Sequence, residues 1–259
     1  MSTTRANLTI VEKSSRYSAA EWETRVQLAA CYRLVARYRM TDLIYTHISA
    51  RVPGVKDQFL LNPYGLMFDE VSASNLVKID LEGRLVEESD YRVNAAGFTI
   101  HSAIHAARHD VFCVLHTHTR AGMAVACQKQ GLLPLNQISL QFYNRLAYHD
   151  YEGIALDLDE RPRLVASLGD KRSMILTNHG LLTAGRTIPE AFSLMFYLER
   201  ACEIQIAALA GGSELVIPSP EVCEKTARQA ELENDAPLGD QEWAAHIRAL
   251  DREDASYRN

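Results

Sequence analysis

The sequence predicts one α/β domain of three layers built around a mostly antiparallel sheet. Short apolar runs of strand length are mixed with stretches of helical period. Strict strand–helix–strand alternation is missing, which argues against a parallel sheet. A chain of 259 residues with 47% apolar and 23% charged side chains is long enough to bury a substantial core.

Residues 1–18 read as a loose lead-in, 19–250 as the single domain and 251–259 as a frayed tail. Ser18, followed three residues later by Glu21, predicts a capped helix from Ala19 to Tyr38, with Trp22, Val26, Leu28, Ala29, Leu34 and Val35 at helical spacing. Strands are expected at Thr46 to Val52 and Phe59 to Leu61, the second ending in the Asn62-Pro63-Tyr64-Gly65 turn. Ser72 to Leu76 reads as a helical turn, and Val77 to Ile79 with Leu85 to Val86 as a hairpin around Glu82-Gly83. Ala95 to Arg108 reads as a helix, Asp110 to His118 as a buried strand and Ala121 to Lys129 as a helix. A loop from Leu156 leads to a helix ending near Leu168. Ser173 to Thr177 reads as a strand that Leu181 to Ala184 continues. Pro189 opens a long helix that Gly211-Gly212 stops. Pro218 and Pro220 bracket the start of one charged C-terminal helix.

The formal net charge of −6 and the lack of a basic stripe argue against nucleic acid or an anionic membrane as partner. No run reaches the roughly 18 apolar residues of a membrane span, and the polar first 18 residues lack a signal-peptide core. Five widely spaced cysteines without a CxxC read as reduced core thiols. A soluble, cytoplasmic protein is expected.

The chemistry lies in the histidines. His116 and His118 are two apart at a strand end, so their imidazoles share one face and can meet at one metal. His179, beside Gly180 at a second strand end, supplies the third ligand that an open catalytic site needs. A hydrogen-bonded histidine pair is the bland alternative. His101, His105 and His109 fall at i, i+4 and i+8 and read as a polar helix face, with His101 nearest the site. Glu190 and Glu199 read as a solvated face, and Arg120, two residues past the metal motif, as the best candidate among Arg51, Arg120 and Arg145 for a substrate carboxylate.

Taken together, His116-Thr117-His118-Thr119, Asn178-His179-Gly180, Thr46-His47-Ile48-Ser49-Ala50-Arg51, Asn62-Pro63-Tyr64-Gly65, Gly97-Phe98-Thr99-Ile100-His101 and Tyr148-His149-Asp150-Tyr151 resemble the signatures of the class II aldolase/adducin family, in the family's order. The resemblance implies a three-layer α/β/α sandwich, a homotetramer with sites at subunit interfaces, and a zinc ion held by three histidines and a glutamate. The family's three histidines match His116, His118 and His179. Its glutamate, also the acid/base, matches Gly97, and the two serines before it match Ala95 and Ala96. Glycine offers neither a ligand nor a proton acceptor. Gly97→Glu is therefore expected to restore a fourth ligand and tighten zinc. The phosphate loops read Thr46-His47 and Asn62 to Gly65, which points away from a phosphorylated sugar, and the pattern Gly97-Phe98-Thr99 with Tyr148-His149-Asp150-Tyr151 is closer to the adducin head and its bacterial relatives.

The expected cofactor is one divalent metal, zinc first and Fe(II) second. The expected function is a lyase acting on an unphosphorylated carbonyl or hydroxy-acid substrate by Lewis-acid stabilisation of an enediolate. The alternatives are a three-histidine Fe(II) oxygenase or decarboxylase and a non-catalytic adducin-head-like domain. With Gly97 at the glutamate position the base must come from elsewhere. Tyr143 and His101 are the catalytic candidates, with Gln141 able only to orient and Tyr64 a further possibility, while His47, Asn62, Gly65, Gly97 and Arg120 are expected to meet substrate.

Overall fold

The structure is a computed structural model that describes residues 16–154, 157–232 and 238–259. Among the described residues seven strands form one sheet: β1 (His47–Arg51), β2 (Gln58–Leu61), β3 (Val77–Asp80), β4 (Cys113–Thr117), β5 (Leu146–His149), β6 (Ser173–Leu176) and β7 (Gly180–Gly185). Their order is β3-β2-β1-β4-β7-β6-β5, and every neighbouring pair is antiparallel except β5 with β6. The helices are α1 (Ala19–Arg37), α2 (Ala95–Ala107), α3 (Arg120–Ala126), α4 (Gln137–Leu140), α5 (Arg161–Leu168), α6 (Ile188–Ala210), α7 (Pro220–Leu232) and α8 (Asp240–Glu253).

Strand alternation sorts the core into two sides. Ile48, Ala50, Cys113, Leu115 and Leu181 point to the side covered by α1, α6 and α8. Val114, Met174, Leu182 and Ala184 point to the opposite side, where Ile100, Ala103 and Ile104 of α2 and Leu164 and Leu168 of α5 cover them. Helices therefore lie on both faces of the sheet, as the three-layer expectation requires. Local chemistry starts the long helices: the Ser18 hydroxyl accepts from Glu21 N at 3.1 Å, and the Thr187 hydroxyl from Glu190 N at 3.1 Å.

The structure departs from the sequence reading at several elements. Ser173 to Ala184 is two antiparallel strands reversing at Thr177-Asn178-His179, with Asn178 at φ 56°, instead of one continued strand. β5 was not anticipated, because four residues carry too little pattern. The C-terminal region holds two helices, and the segment past Asp251 is ordered: Ala255–Arg258 form a 3-10 turn with Tyr257 fully buried. Tyr257 O and Asn259 O accept from Ala73 N and Ser74 N at 2.9 and 2.8 Å. Glu190 and Glu199 are buried instead of solvated. Glu190 binds Arg172 and Arg186, and Glu199 accepts from the Thr119 hydroxyl. The lead-in expected over residues 1–18 falls, up to residue 15, outside the described residues, as does the start of the loop expected at Leu156. Among the described residues no helix is long and apolar enough to cross a membrane.

Candidate metal centre

The sheet's antiparallel register gathers the histidines at one end. His47 opens β1 and pairs with His116 near the end of β4, and Thr117 pairs with Leu181 at the start of β7. His47, Ser49, His116 and, beyond the strand, His118 fall on the α2 side of the pleat, since Ile48, Ala50 and Leu115 face the other way. His179 reaches the same place from the β6–β7 reversal. Gly180 makes that approach feasible: a Cβ there would lie 2.4 Å from the Thr117 carbonyl oxygen.

One ring nitrogen from each of His116, His118 and His179 lies within 4.8 Å of the other two. His116 Nδ1 is 2.9 Å from Leu181 O, and His118 Nδ1 is 3.0 Å from the Asp42 carboxylate. A carbonyl and a carboxylate only accept, so both Nδ1 atoms carry a proton, and in the neutral rings that a metal binds both Nε2 atoms are bare. Those two bare nitrogens stand 2.9 Å apart. Two lone pairs facing each other repel unless a cation lies against them. The donor set therefore fits a divalent metal, with Leu181 O and Asp42 orienting the rings. Burial, then the neighbouring His179, His118 and His47, holds the His116 imidazole well below its usual range. Burial with His118 and His149 pulls His179 down to about 4. Both rings are thus neutral, ligand-competent imidazoles at pH 7.

Beside the triad, His47 occupies the space in front of Gly97. A Cβ on Gly97 would sit 2.4 Å from His47 Cδ2 and 2.8 Å from its Nε2. The His47 ring centroid is 5.2 Å from that of His116. The glycine and the histidine thus form a pair, with the ring taking the room that a larger residue 97 would need. Gly97→Glu meets His47 before it meets any metal, which alters the expectation drawn from sequence. His101 and His105 also depart from expectation. They are fully buried against the sheet instead of lining a polar face, and only His109 is exposed. His101 touches His47 and Ser49, one layer behind the site.

The remaining candidates divide. Arg120 is the exposed first residue of α3, next to the triad in sequence. Gly65 lies in the exposed loop after β2, at the same end of the sheet as His47, with φ 105°. Asn62 is buried and turned to Tyr32, whose hydroxyl lies 2.9 Å from Asn62 Oδ1, so its role is to pin β2 to α1. Tyr143 precedes Leu146, the end of β5 remote from His149 and His179. The fold therefore does not bring it to the triad of its own chain. Arg51 is spent on the carbonyls of Val111 and His105, and Arg145 on Glu224 and Glu231. Sequence reasoning missed Asp42, which no local pattern marks. It also missed Thr46, a buried β-branched residue at φ 67° whose hydroxyl has no partner among the described residues. Ser49 was findable, since it shares the face of His47.

Residues 26–206 match the family model described as Class II Aldolase and Adducin N-terminal domain. The chain belongs to this family. A Pseudomonas aeruginosa protein provisionally named as a class 2 aldolase is 53% identical, the alignment covering 94% of this chain and 95% of that one. Rat alpha-adducin is 41% identical over 92% of this chain, which spans only 34% of adducin's length. A solved L-fuculose 1-phosphate aldolase from Glaciozyma antarctica superposes with a TM-score of 0.81 at 27% identity, covering 93% of this chain and 94% of that one. The class II aldolase fold, with its mixed seven-stranded sheet, is thus the fold of this chain.

Proposed function

We propose that this family member is a zinc-dependent lyase that cleaves or forms a carbon–carbon bond next to the carbonyl of an unphosphorylated hydroxy-carbonyl or keto-acid substrate. One observation carries the reading: the Nε2 atoms of His116 and His118 face each other at 2.9 Å, with His179 completing a three-imidazole set. A divalent cation held by these three supplies Lewis acidity toward a carbonyl or hydroxyl oxygen. Three neutral imidazoles that leave a fourth position open suit zinc.

The chain's own residues do the rest. Asp42 and the Leu181 carbonyl fix the ring orientations. Arg120, exposed at the start of α3, offers a guanidinium to a substrate carboxylate. Thr46 and His47 stand where the resemblance places a phosphate loop, and they offer one hydroxyl and one imidazole, a poor cradle for a dianion. Gly97 provides no proton acceptor. A base such as Tyr143 must therefore come from a second copy of the chain, in keeping with a homotetramer. The test is retro-aldol cleavage of a panel of hydroxy-keto acids with added zinc. Turnover should fall by at least about 100-fold in His116→Ala, and phosphorylated analogues should be no better than plain ones. Turnover that survives His116→Ala, or a strong preference for phosphate esters, would refute the proposal. Turnover with Fe(II) under air alone would favour an oxygenase instead.

A further inference from the structure

Behind the triad runs an unbroken line of buried polar groups. His47 Nδ1 is 2.7 Å from His101 Nε2, and His101 Nδ1 is 2.5 Å from Ser49 Oγ. Ser49 Oγ is in turn 2.8 Å from His105 Nε2. The four residues are at most 3% exposed. The line ends at His105 Nδ1, which is buried and has no partner among the described residues.

Each link needs one proton between its two atoms, and Ser49 has a single hydroxyl proton. Ser49 accepting from both rings would leave that buried O–H orphaned, since no other acceptor for it stands among the described residues. With every ring neutral and the hydroxyl proton used within the line, two arrangements satisfy all three links. In one, protons point from His105 toward the site: His105 Nε2–H donates to Ser49, Ser49 O–H to His101 Nδ1, and His101 Nε2–H to His47 Nδ1. His47 then carries its proton on Nε2. In the other, every link is reversed, His47 Nε2 is bare, and the orphan His105 Nδ1 must carry a hydrogen. The far end decides between them. A buried N–H without an acceptor is the costlier orphan. In addition, the Arg51 cation faces His105 and donates to its carbonyl, which favours a bare ring nitrogen over an N–H.

We propose that the His105–Ser49–His101 line locks His47 as a neutral Nε2–H donor at the metal centre. His47 is then a substrate-binding residue that donates to a substrate oxygen, and neither a fourth metal ligand nor a base. Ser49, His101 and His105 are positioning residues. A fixed neutral N–H in a dry site stabilises an oxygen on which negative charge develops. What His47 faces rests on the lyase reading above; which of its nitrogens bears hydrogen does not.

The test uses the full chain labelled with 15N-histidine, observed by long-range nitrogen–proton correlation, metal-free and zinc-loaded. The His47 signals are assigned by their loss in His47→Ala. The expected result is protonated Nε2 and bare Nδ1 in both forms. Ser49→Ala should raise the population of the Nδ1–H form at least about tenfold. Zinc affinity of His47→Ala should stay within about threefold of the unaltered protein. A His47 that is Nδ1–H, or imidazolium, in the unaltered protein overturns the proposal, whether or not Ser49→Ala folds. So does a folded Ser49→Ala with unchanged tautomers, or a His47→Ala whose zinc affinity collapses. Failure of the protein to bind zinc at all would remove the lyase reading while leaving the metal-free spectrum to decide the tautomer.

Discussion

Asp42 shows how a residue without a motif can set a site. Its carboxylate accepts from His118 Nδ1 at 3.0 Å and turns His118 Nε2 inward. Asp42→Ala should weaken zinc binding by about 10- to 100-fold while leaving the fold intact, as measured by competition with a chromogenic chelator. Gly97 shows the converse, a residue whose meaning lies in what its absent side chain leaves free. Because a Cβ there would sit 2.4 Å from the His47 ring, Gly97→Glu should cost about 1–3 kcal/mol in denaturant unfolding and should not tighten zinc. A Gly97→Glu protein of unaltered stability with tighter zinc would show that the His47 ring yields easily. The HxH pair was legible because strand period alone puts both imidazoles on one face. The same rule puts Ser49 with His47, and the i, i+4 spacing puts His101 with His105, so the buried line could have been read from sequence. What hid it was treating a histidine-rich helix face as solvated. Asp42 and Thr46 were not legible, because a loop's reach and a positive φ leave no periodic trace.

At the level of elements, the cues that worked were those with a local physical cause. Ser18 and Thr187 satisfy free N–H groups at the starts of α1 and α6, and Gly211 lies at the end of α6. β5 escaped notice because it depends on β6, a partner distant in sequence, whereas the β6–β7 reversal is a local hairpin, with Leu176 paired to Gly180, hidden by apolar residues on both sides of the turn. A four-residue strand has almost no pattern of its own, and Asn178 at φ 56° is a turn residue only in its folded setting. The C-terminal segment escaped for the same reason as β5: polarity suggests fraying, but one tyrosine decides its fate. Tyr257 is fully buried against the core that holds α1, and the backbone oxygens of Tyr257 and Asn259 accept from Ala73 N and Ser74 N. Tyr257→Ala should therefore cost about 3 kcal/mol by urea unfolding, with a lower midpoint and an unchanged slope. A loss under about 0.5 kcal/mol would mean that the segment is an ornament on α1.

For the whole molecule, the buried imidazoles couple folding to pH. His105 is pushed down to about 3 and His179 to about 4, and burial also holds His47, His101 and His116 well below 6.5. In the unfolded chain each takes up a proton near pH 6.5, so between these limits the unfolded state binds more protons than the folded one. Stability of the metal-free protein is then flat above about pH 7 and falls as pH drops from 6.5 through 4 toward 3, which thermal unfolding across that range measures. Bound zinc should deepen the fall, because protons and metal compete for the same nitrogens. The chemistry of the site turns on whether those nitrogens hold a metal. The direct measurement is elemental analysis of the purified protein beside the His116→Ala/His118→Ala double variant. About one zinc per chain, absent from the folded double variant, is the predicted result. No metal in either protein, or equal metal in both, would contradict it and leave the three histidines as a packed cluster without a cation.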